Sequence, residues 1–540
     1  MRLLIRYWQW GLSVLFGIGV LLFWGWGFPH ALSYHEQYQL FLWTGDYFVE
    51  RLSVPGGLAD WLGEFITQFY YHPWAGAALL ALLFVILQRG VAALLPPLYY
   101  LLSFIPPLLL LWHMGNVHVL LSYAVALTAV TLLAKTPIPS GWVGVGAELL
   151  FIPVLYWLIG PMVWLYAALC VVLRGWRWSW LLVWVGVSQL LLWATILEQW
   201  PQQMVMFSIS YFMIPMQVPV MQWVIPLIMV VLVLLGRIGR NVKLGGWMGK
   251  ALQLVLVVSA GWLAYSQGFE RETYELVWQD CQVRYERWDK IIKRAGEHVV
   301  MTPFWSNSVN LALSQKRLLA DRMFDFYQSG EDALLMSVVR DQTSNMPTAE
   351  ACFRLGLVNS AQRYMFNMQE SIFNGKKSGR CTKRIVECML VNGHYKPALK
   401  YIDLLEKSLF YRSWAQEARR VVTSDATTRE QLINRDPVLG RLRQLRFQDD
   451  FLFSHPEKDK IFAMLFQQNH DNKMALDYFL GEELLRGNVQ DFMQYLPWAQ
   501  QYGSYTYMPV GYQDAVQCIQ RRGNMPGSRY GDYAKRMMRK

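Results

Sequence analysis

The 540-residue chain lacks the short arrangements on which the common soluble enzyme classes depend. Its six cysteines include no C-x-x-C, so neither a zinc-ligand spacing nor a redox dithiol is present. There is no phosphate-cradling glycine loop, no G-x-S-x-G elbow and no H-E-x-x-H, and catalysis of those kinds has no support in the second half. After Pro303 no alternating strand pattern occurs either, so an all-α fold is expected. Charge is scarce in the first half only. Up to about residue 266 there are eleven Lys/Arg and seven Asp/Glu, and beyond it 39 and 32, so the two parts must be read separately. The net charge of +11 is not gathered into any Lys/Arg block, and nucleic acid is not expected as a partner.

What the first part has is long apolar runs. The run 7–28, preceded by Arg2 and Arg6, is long enough at about 1.5 Å per residue to cross a roughly 30 Å hydrocarbon layer, and too long and Trp-rich for a signal-peptide core. Further spans are expected at 74–88, 97–113, 117–133, 142–160, 161–173, 178–197, 221–235 and 247–265. That makes nine. Threaded this way, Arg2, Arg6, Arg89, Lys135, Arg174, Arg177, Arg237, Arg240, Lys243 and Lys250 lie on the cytoplasmic side and Arg51 alone outside, as the positive-inside rule demands. The expected location is a bacterial inner membrane, with the N-terminus cytoplasmic and everything after residue 265 periplasmic or extracellular.

Between the first two spans lies the segment 30–73, polar yet rich in aromatics. Tyr38, Phe41, Leu42, Phe48 and Leu52 recur at helical spacing, predicting one amphipathic helix over 34–52. Pro55-Gly56-Gly57 breaks it, and Leu58, Trp61, Leu62, Phe65 and Phe69 predict a second over 58–71. Both are expected to lie on the outer membrane surface. Their carboxylates Glu36 and Asp46, and more weakly Asp60 and Glu64, are the candidates for acid/base chemistry; the plain alternative is a solvated face on an interfacial helix. Glu148, six residues into the fifth span, is the one intramembrane carboxylate, costly there unless paired or wetted. His30, His35, His72, His113 and His118 map to the outer face without a His-x-x-x-His pair, and no metal site is assigned. The apolar outer loop 198–220 is expected to pack against the bilayer.

The soluble part opens with a charged helix over 270–292, within a connector 267–300. Its body, 301–540, carries a repeat. Gly356-Leu-Val-Asn-Ser-Ala361 and Gly393-His-Tyr395-Lys-Pro-Ala398 share G-x-[VY]-x-x-A, 37 residues apart, the signal of tetratricopeptide-like helical hairpins. Ala475–Tyr478 and Gly487–Phe492 are weaker echoes. Cys381 and Cys388 are seven apart on one expected helix, about 10 Å along its axis, too far for a disulfide. Cys352 and Cys388 stand at nearly equivalent repeat positions, where one bridge would suit an oxidising compartment.

The stretches YHEQYQLFLWTGDYF and PGGLADWLGEFITQFYY resemble an uncharacterised family of bacterial polytopic membrane proteins, a domain of unknown function. The order of parts, with a first span, a long acidic outer loop, many spans and an outer soluble domain, is similar to that of C-type glycosyltransferases, some of which carry outer tetratricopeptide repeats. That likeness implies a lipid-linked sugar donor, a loop carboxylate as general base, with Glu36 first and Asp46 next, and a divalent metal only if the chain is such an enzyme. No D-x-D, D-E or E-D pair occurs in the loop. The reading placed first is a membrane protein of 1–266 that presents a helical-repeat domain to envelope proteins as a scaffold; the alternative is the membrane glycosyltransferase.

Overall fold

The computed structural model describes residues 2–115, 121–139, 141–208, 220–239, 247–339, 341, 343–372, 375–447, 452, 455–502, 504–523 and 525–538. Every regular element among them is helical, and they form two compact units, Met1–Arg271 and Glu272–Lys540.

Lipid offers no water to satisfy backbone amides and carbonyls, so apolar runs that cross it fold as helices. In the first unit α1 (Arg2–Leu22) runs into a π-helical turn, Phe23–Gly27, with Trp24 fully buried. Three short helices follow: α2 (Pro29–Glu36), α3 (Gly45–Leu52) and α4 (Gly57–Thr67). The apolar body comprises α5 (Pro73–Leu94), α6 (Ile105–Gly115), α7 (Ser122–Leu133), α8 (Gly141–Ile159), α9 (Val163–Arg174) and α10 (Trp180–Thr195). It is completed by the short α11 (Gln202–Phe207), α12 (Val224–Ile238) and α13 (Trp247–Gly268). Pairs α1/α5, α6/α13, α4/α7, α5/α7 and α9/α12 make the main packing contacts. A polar bridge ties α1 to α5: Ser13 Oγ donates to Gln88 Oε1 at 2.7 Å, and Gln88 Nε2 donates to Ser103 Oγ at 2.7 Å, so these buried groups satisfy one another.

Among the described residues, six stretches are long and apolar enough to cross a membrane: Tyr7–Gly27, Pro73–Leu94, Pro97–Gly115, Gly141–Arg174, Trp176–Thr195 and Trp247–Gly268. The all-helical class holds, and these six stretches are candidates for membrane spans. The expected spans 142–160 and 161–173 fall within one 34-residue stretch, and the spans 117–133 and 221–235 correspond to the shorter α7 and α12. The long stretch is not straight. Gly160 has φ +68° and Pro161 cannot continue the helix, so α8 stops there. Tyr166 Oη donates to Glu148 Oε1 at 3.0 Å, which requires α9 to turn back along α8.

In the second unit the helix expected over 270–292 is two, Arg271–Arg284 and Trp288–Ala295, because Glu286 at φ 55° takes the left-handed conformation that ends the first. Further on, three helix pairs share one turn: Met346–Leu355 with Val358–Glu370, Gly379–Asn392 with Tyr395–Glu406, and Lys473–Arg486 with Val489–Tyr495. Gly356, Gly393 and Gly487 close the first helices at φ +93°, +78° and +74°. The next amide then bonds back to the helix, Leu357 N to Cys352 O at 2.9 Å, His394 N to Met389 O at 2.8 Å and Asn488 N to Glu483 O at 2.8 Å. This is the Schellman closure, which satisfies a carbonyl the helix end would leave bare. Five places after each glycine a side chain is completely buried, Ala361, Ala398 and Phe492. Tyr395 accepts from Arg443 Nη2 beneath the Arg429 guanidinium, 4.3 Å from its ring. Ala475 instead starts the second helix of another pair, Lys458–Gln468 with Lys473–Arg486, whose turn is capped by the Asn472 side chain.

All six cysteines are free and buried, so the Cys352–Cys388 bridge is not formed. Cys352 and Cys388 are completely buried, and burial pushes both thiols well above the ordinary range.

Candidate functional site

The single helix expected over 34–52 is two, α2 and α3, with residues 37–44 between them outside any helix. Packing decides this. Phe41 is buried in the non-helical stretch, its ring 5.4–5.6 Å from those of Trp43, Tyr47, Trp61 and Phe65. Its helical spacing in the sequence thus arises from burial in an aromatic cluster. Thr44 then opens α3, its hydroxyl accepting from Tyr47 N at 3.3 Å. Gly56, at φ +81°, begins α4 and donates its amide to Trp157 O at 2.8 Å, while Trp157 Nε1 donates to Leu52 O at 2.8 Å. A Cβ on Gly63 would stand 2.7 Å from Ser122 N, so α4 meets α7 at backbone distance. The segment is therefore seated on the helical body through α7 and α8, with Trp43, Phe48 and Val49 left exposed.

Where α3 crosses α4 the structure brings together Tyr47, Arg51 and Glu64. Arg51 Nε donates to Glu64 Oε2 at 3.2 Å, Arg51 Nη2 donates to Tyr47 Oη at 3.2 Å, and Tyr47 Oη donates to Glu64 Oε2. The guanidinium also lies 4.7 Å from the Tyr47 ring centre. Glu64 is 1% exposed and Arg51 14%, which makes this a buried pair. Burial and the Glu64 charge hold the Tyr47 phenol far above its ordinary range. Burial alone would pull the Arg51 guanidinium down, but Glu64 and Tyr47 outweigh it, and the net shift is upward. The Arg51 guanidinium thus stays charged and Tyr47 stays protonated. A carboxylate so engaged, with both contacts made from the other helix, is an anchor between α3 and α4.

The other candidates are dispersed. Glu36 is buried at the end of α2, whereas Asp46 is exposed in the first turn of α3 and Asp60 half-buried in the first turn of α4. A negative charge in a first turn offsets the positive end of the helix dipole, which gives Asp46 and Asp60 a local structural role. His30 packs against Phe28 at 5.7 Å and His113 against Tyr123 at 4.5 Å, His72 precedes α5, and His118 lies outside the described residues. No group of three His, Cys, Asp or Glu able to hold a metal occurs among the described residues. In the loop 198–220, Met204 and Val205 are buried and Tyr156 Oη donates to Val205 O at 2.9 Å, so α11 packs on protein; residues 209–219 lie outside the described residues. Tyr47 and Arg51 were not legible as site residues. The signal for Arg51 was its standing as the one cation in the segment, and for Tyr47 its place four residues before Arg51 on the same face.

A family model described as a family of unknown function, DUF6057, matches residues 6–538. No curated protein and no solved structure matches the chain.

Proposed function

We propose that this chain, which belongs to that family of unknown function, is a scaffold of the bacterial envelope. In this reading nine helices cross the inner membrane and the second unit, on the outer side, offers a helical-repeat surface to an envelope protein. The observation that carries it is the repeated Gly-closed turn at Gly356, Gly393 and Gly487, with one backbone conformation, one closing bond and one buried position five residues later. Stacked hairpins of this kind expose an extended surface suited to gripping a partner. Nine crossings follow if α8 and α9 count separately and α7 and α12 also span. The ten-to-one distribution of Lys/Arg supports an N-terminus inside.

The engagement of Glu64 by Arg51 and Tyr47, and the first-turn positions of Asp46 and Asp60, favour a structural over a catalytic role for the opening segment. The test pairs topology with function. Alkaline phosphatase fused after residue 540 is expected to be active and green fluorescent protein fused there dark; the reverse pattern rejects an outer second unit. Glu36→Gln and Asp46→Asn are expected to complement a deletion strain as wild type does. A loss of roughly 10²–10⁴-fold in a cellular readout, at unchanged protein level, would mark a general base and restore the glycosyltransferase alternative with its lipid-linked sugar.

A further inference from the structure

The positive charge of the second part is unevenly placed. Beyond residue 266 there are 39 Lys/Arg and 32 Asp/Glu, and residues 375–446 alone hold sixteen of the first and seven of the second. The exposed acids of that stretch are mostly engaged. Asp403 pairs with Arg419 and Glu430 with Arg443, Asp425 and Asp436 accept from backbone amides two and three residues on, and Glu417 alone stands free among the described residues. By contrast Lys407, Arg412, Arg435 and Arg441 are exposed, and none of them makes an ion pair among the described residues.

These four cations bracket two turns. Lys407 and Arg412 flank the one that holds Leu409, and Arg435 and Arg441 the one that holds Val438. Leu409 and Val438 are each 41% exposed, and between residues 343 and 447 no other described large apolar side chain is exposed. Both turns open toward the same end of the array. A Cβ on Gly379 would stand 2.3 Å from the Tyr411 ring, so the Leu409 turn lies at the start of helix Gly379–Asn392. Helix Leu439–Leu445 finishes at the far end of that helix, where Arg443 Nη2 donates to Leu390 O at 3.1 Å and Arg446 Nη1 to Asn392 Oδ1 at 3.4 Å. It therefore runs beside Gly379–Asn392 in the same direction, and the Val438 turn that precedes it faces the Gly379 end. The turns of the opposite end, 392–394 and 424–425, carry only Asn, Gly, His, Ser and Asp.

We infer that this end of the second unit is a docking surface for an anionic bilayer, in which Leu409 and Val438 enter the headgroup region while the four cations meet lipid phosphates. Charge complementarity selects that partner: a Lys or Arg beside an aliphatic tip lays its stem on apolar surface and places its charged head among the phosphates. Both tips project from hairpin ends, a shape suited to entering a soft surface rather than to enclosing a peptide. Four cations and two aliphatic side chains hold a free domain only weakly. A unit joined to a membrane span is kept at high local concentration by its tether, and there the same contacts suffice. In that respect the inference rests on the membrane reading of the first unit.

The test uses the full-length protein in lipid nanodiscs. All six native cysteines are buried, so a nitroxide spin label attaches selectively at Leu409→Cys, Val438→Cys or, at the opposite end, Thr427→Cys. Collision with oxygen, which concentrates among acyl chains, is compared with collision with a water-soluble nickel chelate. In discs that contain phosphatidylglycerol, the labels at 409 and 438 are expected to lose nickel accessibility several-fold and to gain oxygen accessibility, relative to discs of phosphatidylcholine alone. High salt is expected to reverse the change, because it screens the attraction. The combined variant Lys407→Gln/Arg412→Gln/Arg435→Gln/Arg441→Gln is expected to reverse it as well, and the label at 427 to stay in water throughout. Equal nickel accessibility in the two lipids at either tip overturns the docking surface. So does protection from both reagents whatever the lipid, which would mean that protein covers the tips. Protein that fails to enter discs overturns the membrane reading and this inference with it, a failure distinct from wet tips on inserted protein.

Discussion

Arg51 Nε stands 3.2 Å from Glu64 Oε2, and through this pair the two short helices of the opening segment are joined beneath an aromatic cluster. Both side chains are withdrawn from water, so removing one strands the charge of the other. Arg51→Met is expected to destabilise the first unit by about 3–5 kcal/mol, and the double variant Arg51→Met/Glu64→Met to recover most of the loss. Thermal melts of the detergent-solubilised protein check this. A single variant as stable as wild type would mean that the pair contributes nothing.

Phe41 and Trp43 are close in sequence and opposite in exposure, 3% against 49%. Phe41→Ala is expected to cost about 3–5 kcal/mol, as loss of a buried ring does, and Trp43→Ala to leave stability within about 1 kcal/mol. If the segment were a pair of helices resting on the membrane surface, the two variants would behave alike. Melting temperatures in detergent separate the cases.

The three turn glycines differ in what a methyl group would meet. At Gly487 nothing lies within 4 Å and at Gly393 the nearest atoms are 4.0 Å away, whereas at Gly356 the Leu445 carbonyl oxygen stands 2.7 Å off. Gly393→Ala and Gly487→Ala are expected to cost about 1–2 kcal/mol each, the cost of a side chain at positive φ. Gly356→Ala is expected to cost more, since its Cβ also displaces backbone. Denaturant titrations should return that order, and a harmless Gly356→Ala would contradict the turn geometry.

Asp477 and Glu483 give the second unit a pH dependence. Burial pushes Asp477 up to about 7, against a hydrogen bond from Tyr505 Oη at 2.7 Å that favours the ionised form. Burial likewise pushes Glu483 up to about 7. Between their ordinary values of 3.8 and 4.5 and about 7, the folded chain holds protons that the unfolded chain has released. Stability from these groups is therefore full at the acid end and falls as pH rises through that window. Asp477→Asn should flatten the fall, and Tyr505→Phe should shift it to higher pH. Denaturation midpoints across the window check the sign; a midpoint that rises with pH and is unchanged by Asp477→Asn would refute it.

Residues 272–540 are expected to be soluble and helical when expressed alone, because they form a compact unit with ordinary soluble-domain charge. A circular dichroism spectrum without helical minima would show that the fold needs the first unit.

The features legible in the sequence are those that local physics dictates. Apolar runs must be helical in lipid whatever surrounds them, and a Gly at the close of an amphipathic run ends a helix because only Gly enters the left-handed region without strain, as Gly356 and Gly393 do. What depended on distant contacts was decided by the tertiary structure alone. Phe41 has helical spacing but lies outside any helix, since the rings of Trp61 and Phe65, twenty and more residues on, repay its burial in a non-helical stretch. Glu64, a weaker candidate, proved embedded, as Glu36 did, and Asp46, placed above it, is exposed; nothing in the local sequence states which carboxylate Arg51 will meet. For Glu148 the sequence determined that a carboxylate lies in an apolar run. Only the return of α9 at Gly160 determined that Tyr166 reaches one of its oxygens and that the other is left without a partner.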